Sequence, residues 1–105
     1  MEGVNVVGYH RQSLGLGAEV RRVVRCLRAA GVPVSTIDAP GSSSALIENL
    51  PPSDNEWHHN ITLSIVAGDQ LQNCMSELDS SNFQNTKHYG MWYWELMKIN
   101  ELRLT

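Results

Sequence analysis

Residues 4–38 constrain this chain more than any other stretch. A short apolar strand (Val4, Val6, Val7) leads into a glycine-bearing loop, His10-Arg11-Gln12-Ser13-Leu14-Gly15-Leu16-Gly17. A helix follows, with Val20, Val23, Val24 and Leu27 recurring at helical spacing and Arg21, Arg22, Arg25 and Arg28 on the other side. Gly31 and Pro33 stop it, and residues 32–37 read as a second strand ending at Asp38. This is a βαβ unit, and in α/β proteins the loop after the first strand is where ligands bind.

The rest of the chain continues the alternation. Residues 61–67 are rich in β-branched side chains and predict a third strand, closed by Gly68-Asp69. Leu71, Cys74, Met75 and Leu78 predict a second amphipathic helix with Asp69 as its N-cap. Residues 79–86 read as a polar loop, and 89–94 as a fourth, aromatic strand. The tail from Glu95 is ambiguous, although Leu96, Ile99 and Leu102 would line one helical face. Residues 39–57, with Pro40-Gly41-Ser42-Ser43-Ser44 and Pro51-Pro52, read as linker that is mobile on the surface, and 45–50 could form one helical turn. The expected fold class is α/β: a Rossmann-like three-layer sandwich on an incomplete parallel sheet of about four strands. The domain expectation is a partial Rossmann-like unit over 3–96 and a divergent tail over 97–105.

Composition narrows the classes. A chain of 105 residues holds one small core. A formal charge of −3 exerts no global pull on nucleic acid or anionic membrane, and no apolar run is long enough to span a bilayer. Met1-Glu2-Gly3 lacks the basic and apolar regions of a signal peptide, so a cytoplasmic location is expected. Cys26 and Cys74 each fall in a helical pattern and are expected as reduced core thiols. Asn60-Ile61-Thr62 is then a chance match to the glycosylation sequon.

Gly15 and Gly17 stand where unpaired amides at a helix start favour an anion, phosphate or diphosphate first. Leu16 lies between them, and Arg11 or Arg21 could add charge-assisted bonds. A plain strand-to-helix connection without a ligand is the competing reading, as a solvated outer face is for the arginines. A dinucleotide site fits less well. Gly15-Leu16-Gly17-Ala18-Glu19-Val20 has Val20 in place of the third glycine, and residues 10–14 separate the strand from the first, although Asp38 stands where a ribose-binding acid would.

His10, at the carboxyl end of the first strand, could bond a hydroxyl or move a proton, or be an ordinary polar loop residue. Asp69 and Gln70 share that edge and could simply cap the helix. Glu95 follows Trp92-Tyr93-Trp94 and could bond a sugar hydroxyl, with the tryptophans in the core or beneath the sugar. His58-His59 do not have zinc-ligand spacing, so no metal site is expected. No nucleophile–histidine set stands out, and the catalytic residues stay unassigned.

Several of these segments together resemble the opening of group 1 bacterial glycosyltransferases. They are Val6-Val7-Gly8-Tyr9, Leu14-Gly15-Leu16-Gly17, Arg21-Arg22, Leu27-Arg28-Ala29-Ala30-Gly31, Ala67-Gly68-Asp69-Gln70-Leu71 and Tyr89-Gly90-Met91-Trp92-Tyr93-Trp94-Glu95-Leu96. The resemblance covers most of residues 3–96, with a gap over 41–59. It implies the glycosyltransferase B-type fold, in which two Rossmann-like domains face a cleft. A sugar passes there from a nucleotide-sugar donor to an acceptor, usually with retention and without a required metal or other cofactor. It would place Gly15, Leu16, Gly17, His10, Arg21, Asp69 and Glu95 along that cleft. It also implies a fragment that is inactive alone, because the C-terminal domain that holds the donor is lacking. Nucleotide-sugar and acceptor would bind with a complementing domain, and nucleic acid is not an expected partner. Self-association through an exposed sheet edge is a further expectation. The alternative function is a stand-alone nucleotide- or anion-binding α/β module.

Overall fold

A computed structural model describes residues 2–12, 16–40, 50, 52–66, 68–78, 80–92 and 95–98. The elements run β1 (Val4–Gly8), α1 (Leu16–Ala29), β2 (Val34–Asp38), β3 (Ile61–Ile65), α2 (Gly68–Glu77), α3 (Ser80–Gln84), β4 (Lys87–Trp92) and β5 (Glu95–Lys98). The sheet order is β2-β1-β3-β4-β5. The first four strands are parallel, and β5 returns antiparallel along β4 with Trp92 opposite Glu95 and Tyr89 opposite Lys98. The α/β class and the four parallel strands therefore stand as read from the sequence.

The strand alternation sorts the core into two layers. Val6 and Ile65 face α1, where Val20 and Val24 are buried and Val4, Val23, Leu27, Val34, Leu63 and Met91 close the edges. Val7, Ile37 and Val66 face the opposite side, against Leu71 and Cys74 of α2 and Phe83 of α3. Helix α1 ends as its glycine predicts. Gly31 takes a left-handed φ of 82°, the Val32 amide donates to the Leu27 carbonyl at 3.0 Å, and the Gly31 amide donates to the Arg28 carbonyl at 3.0 Å. These are the paired bonds of a Schellman stop.

Several expectations are corrected. Residues 80–84, read as loop, form α3, whose single buried apolar residue, Phe83, gave no periodic signal. Strand β4 starts at Lys87 and ends at Trp92, earlier at both ends than expected. Leu96, expected on a helical face, lies in β5, so the sheet has a fifth, antiparallel strand. Asp69 is inside the first turn of α2 rather than at its N-cap. Cys26 is exposed, and only Cys74 is a core thiol. Positions 45–49, Tyr93, Trp94, Ile99 and Leu102 lie outside the described residues.

Residues 53–55, expected to be mobile, run along the outer edge of β2. The Asn55 amide donates to the Thr36 carbonyl at 2.8 Å, and the Asp38 amide donates to Asn55 Oδ1 at 2.9 Å. That edge is covered, and the edge of β4 is covered by β5.

The face toward α2 and α3 is not purely apolar. Ser35, Asn5, Thr62 and His88 stand in register across four strands, each at most 2% exposed. Asn5 Nδ2 donates to the His59 carbonyl at 2.8 Å and to Thr62 Oγ1 at 3.3 Å, while the His59 amide donates to Asn5 Oδ1 at 3.1 Å. Thr62 and Thr86 share a hydroxyl bond of 2.8 Å. Most buried polar groups in folded proteins are bonded, and here the bonds tie the start of β1 to the segment entering β3 and the start of β3 to the segment entering β4. Thr62 is thus a structural member of this row.

Candidate functional site

The strand order reverses between β1 and β3. The chain leaves β1 through α1 to reach β2, then crosses to the other side of β1 to form β3. A reversal of this kind opens a crevice beyond the carboxyl ends of the two strands. Here those ends are Gly8 and Ile65, which are register partners. Helix α1 starts beyond one and α2 beyond the other, and they pack on opposite faces of the sheet. Two helix N-termini, where helix amides carry partial positive charge, therefore follow the two strands of this switch point.

The carboxyl edge gathers most of the residues singled out in the sequence. His10 follows β1, Leu16 and Gly17 open α1, Asp69 lies in the first turn of α2, and Glu95 opens β5 beside the end of β4. Gly15 lies outside the described residues.

The loop after β1 is built largely on its own backbone. His10 is 7% exposed, and its Nε2 donates to the Val6 carbonyl at 2.8 Å. Burial lowers its pKa, while the Val6 and Ile37 carbonyls and the Asp38 carboxylate pull the other way. The ring is thus tucked against its own strand, with its Nε2 proton already committed. Arg21 reaches back from α1 to donate to the Gln12 carbonyl, and to the His10 carbonyl at 3.3 Å. Its guanidinium holds the turn in place. Arg11 is half-buried, and its Nε has no hydrogen-bond partner.

The glycines also have packing roles. A Cβ at Gly17 would strike the Gln12 carbonyl and stand 2.7 Å from Gln12 Cβ. The close approach that glycine permits here is to the chain's own loop. A Cβ at Gly8 would lie 2.6 Å from Val20 Cγ2. In the dinucleotide fingerprint the third glycine lets the helix pack closely on the strand. Here the strand supplies that space through Gly8, and the helix supplies the bulky Val20. Asp38, the candidate ribose acid, accepts from the Ser53 hydroxyl at 2.7 Å instead.

Sequence reasoning missed the Ser64–His88 pair. Ser64 Oγ and His88 Nε2 are 2.6 Å apart, with both side chains buried. Burial alone pushes the His88 pKa down to about 4. The available signal was the alternation itself: Asn5, Thr62, Ser64 and His88 occupy inward positions of their strands. Among the described residues, no group of three or more His, Cys, Asp or Glu is placed to hold a metal ion. Nor is any helix among them long and apolar enough to cross a membrane.

No family model, curated protein or solved structure matches this chain.

Proposed function

We propose that this chain is an N-terminal Rossmann-like unit of a group 1 glycosyltransferase, contributing one wall of a cleft that holds a nucleotide-sugar and its acceptor. The observation that carries the reading is the reversal of strand order between β1 and β3, with α1 starting after one strand and α2 after the other. A helix N-terminus at a switch point suits a phosphate or diphosphate. Among the described residues of the segments that resemble the family, 6–9, 16–17 and 68–71 lie at the end of β1 and the starts of α1 and α2, whereas 27–31 lie at the far end of α1. Within this reading the amides at the start of α1 meet the anion. Asp69 and Glu95 stand on the edge where sugar hydroxyls would lie. Arg21 and Gly17 are positioning residues that set the loop, and His10 fixes the loop to its strand. A cytoplasmic location belongs to the same reading.

One wall does not transfer a sugar. Orienting two substrates and excluding water require a closed site, so activity would depend on a complementing domain. Turnover of a nucleotide-sugar by the pure chain, above that of a Gly17→Trp control, would overturn this part of the reading.

One observation favours a second reading, a stand-alone nucleotide- or anion-binding module. Residues 10–12 are held by bonds within this chain, from His10 to the Val6 carbonyl and from Arg21 to the His10 and Gln12 carbonyls. Amide chemical shifts separate the readings when inorganic phosphate, uridine diphosphate and a panel of nucleotide-sugars are titrated in turn. Shifts at residues 13–20 and 67–70 with phosphate alone support an anion module. A clear gain from the attached sugar, with shifts extending to Glu95, supports the glycosyltransferase wall. Shifts along Arg22, Arg25 and Arg28 that salt removes, or none at all, would reject both.

A further inference from the structure

Residues 53–55 close the outer edge of β2 in a way that strand pairing does not. The Thr36 amide donates to Asp54 Oδ2 at 3.4 Å, and the Asp54 amide donates to the Thr36 hydroxyl at 3.2 Å. The Ser53 hydroxyl donates to the Asp38 carboxylate, and the Asp38 amide donates to Asn55 Oδ1. Among the described residues, one contact, from the Asn55 amide to the Thr36 carbonyl, joins this segment to β2 backbone to backbone. Side chains thus do most of what a neighbouring strand would do. Asp54 and Asn55 are themselves exposed, so water can replace their bonds when they lift, whereas the Ser53–Asp38 bond is part-buried. Asn55 has a φ of 55°, a left-handed turn that no strand can run through. The segment satisfies the edge and cannot extend the sheet.

The covered edge is complementary to itself. Outward-facing groups occur at Thr36 and Asp38, while the intervening residues serve the ladder to β1. Antiparallel pairing about a two-fold axis at Thr36 would set Thr36 against its own copy and Val34 against Asp38. Outward groups then meet outward groups, a β-branched pair stands at the centre, and no like charges oppose each other.

We propose that residues 53–55 are a releasable guard, and that lifting them lets β2 pair antiparallel with β2 of a second copy. This rests on the edge geometry alone and is independent of the glycosyltransferase reading.

The test is sedimentation equilibrium of the full chain, of an Asp54→Ala/Asn55→Ala variant, and of that variant with Thr36→Pro added. Proline removes the outward amide of an edge strand and leaves the ladder to β1 intact. The expected result is a dimer dissociation constant at least tenfold lower for the double variant, returned to the parent value by Thr36→Pro. Three results would each overturn the proposal. The double variant could keep its circular dichroism and sediment like the parent. Its dimer could survive Thr36→Pro, which would place the contact elsewhere. It could lose its fold, which would make residues 53–55 a stability element rather than a guard.

Discussion

Ser64 Oγ and His88 Nε2 meet at 2.6 Å in the interior of the sheet, while His88 Nδ1 has no hydrogen-bond partner. The ring also packs on Phe83, with centroids 4.7 Å apart, and Phe83 packs edge-on against Trp57 at 5.0 Å. A serine–histidine contact often brings nucleophilic catalysis to mind. Here neither group is open to a substrate, and Nδ1 lacks the acid that would orient a catalytic imidazole. The pair is a structural bond with a titratable member.

Its first consequence is acid sensitivity. Burial holds the folded pKa of His88 at about 4, below the ordinary value of 6.5. Between those values the unfolded chain binds more protons than the folded one, so stability rises with pH across this window. The contribution is complete above pH 6.5 and is lost as pH falls through 4. A shift of this size corresponds to roughly 3 kcal/mol. Burial moves His10 in the same direction. Urea unfolding at pH 7 and pH 4.5 should show the loss, and a folded His88→Gln variant should lose much less. Equal slopes with pH in parent and variant would refute the assignment. Trp57, two ring contacts from His88, provides a local fluorescence reporter once Trp92 and Trp94 are replaced by Phe.

Gly17 should be intolerant for a reason unrelated to ligands. Gly17→Ala places a methyl group against the Gln12 backbone and should cost about 1–3 kcal/mol through overpacking. Gly31 has nothing within 4 Å of a Cβ, so Gly31→Ala should cost only its left-handed strain, about 1–2 kcal/mol. Gly31→Asn should recover part of that cost. Thermal unfolding of the three variants measures the difference. A neutral Gly17→Ala would show that the loop yields easily.

The two cysteines should separate cleanly under alkylation. Cys26 is exposed on α1, whereas Cys74 is buried and its pKa is raised to about 11 by desolvation, with Glu77 adding to the shift. The thiolate is the reacting form. Iodoacetamide at neutral pH should add one label to the native chain and a second only in denaturant. Native labelling of Cys74 at a rate near that of Cys26 would contradict the packing of α2.

Asn5→Ala should be among the most damaging substitutions outside the apolar core. It removes three hydrogen bonds and leaves the His59 amide and carbonyl without their side-chain partner. Leaving such groups unsatisfied costs about 1–3 kcal/mol. The expected result is a clear drop in the urea midpoint with an unchanged slope. A change below about 0.5 kcal/mol would mean that water replaces the amide without penalty.

Periodicity made β1, α1, β2, β3 and α2 legible, because in each the apolar spacing agrees with the layer it faces. Phe83 illustrates the limit: one buried ring on a five-residue helix has no period. β5 was missed because Leu96 fits a helix or a strand equally well over so short a run. The site was half legible. His10, Gly17, Asp69 and Glu95 do share one edge, since each follows a strand or opens the next element. What sequence could not reveal is that His10 and Arg21 turn onto backbone carbonyls, because that depends on the path of residues 10–12. Cys26 was misplaced because helical spacing alone does not separate the flank of an apolar stripe from its centre.

The position of β3 bears on how the chain can be assembled as it is made. β3 lies between β1 and β4 in space, yet it follows β2 and a long connection in sequence. When Asp38 leaves the ribosome, β1 can already pair with β2 across α1, but its other side has no neighbour. Asn5 then waits for His59 and Thr62, more than fifty positions later. Until they arrive, the nascent chain exposes an open strand with a polar side chain that only later residues can satisfy. Contacts so distant in sequence slow folding and leave early intermediates prone to wrong pairing. A stall after Asp38 has emerged and before residues 59–62 have emerged would therefore prolong the interval of greatest risk.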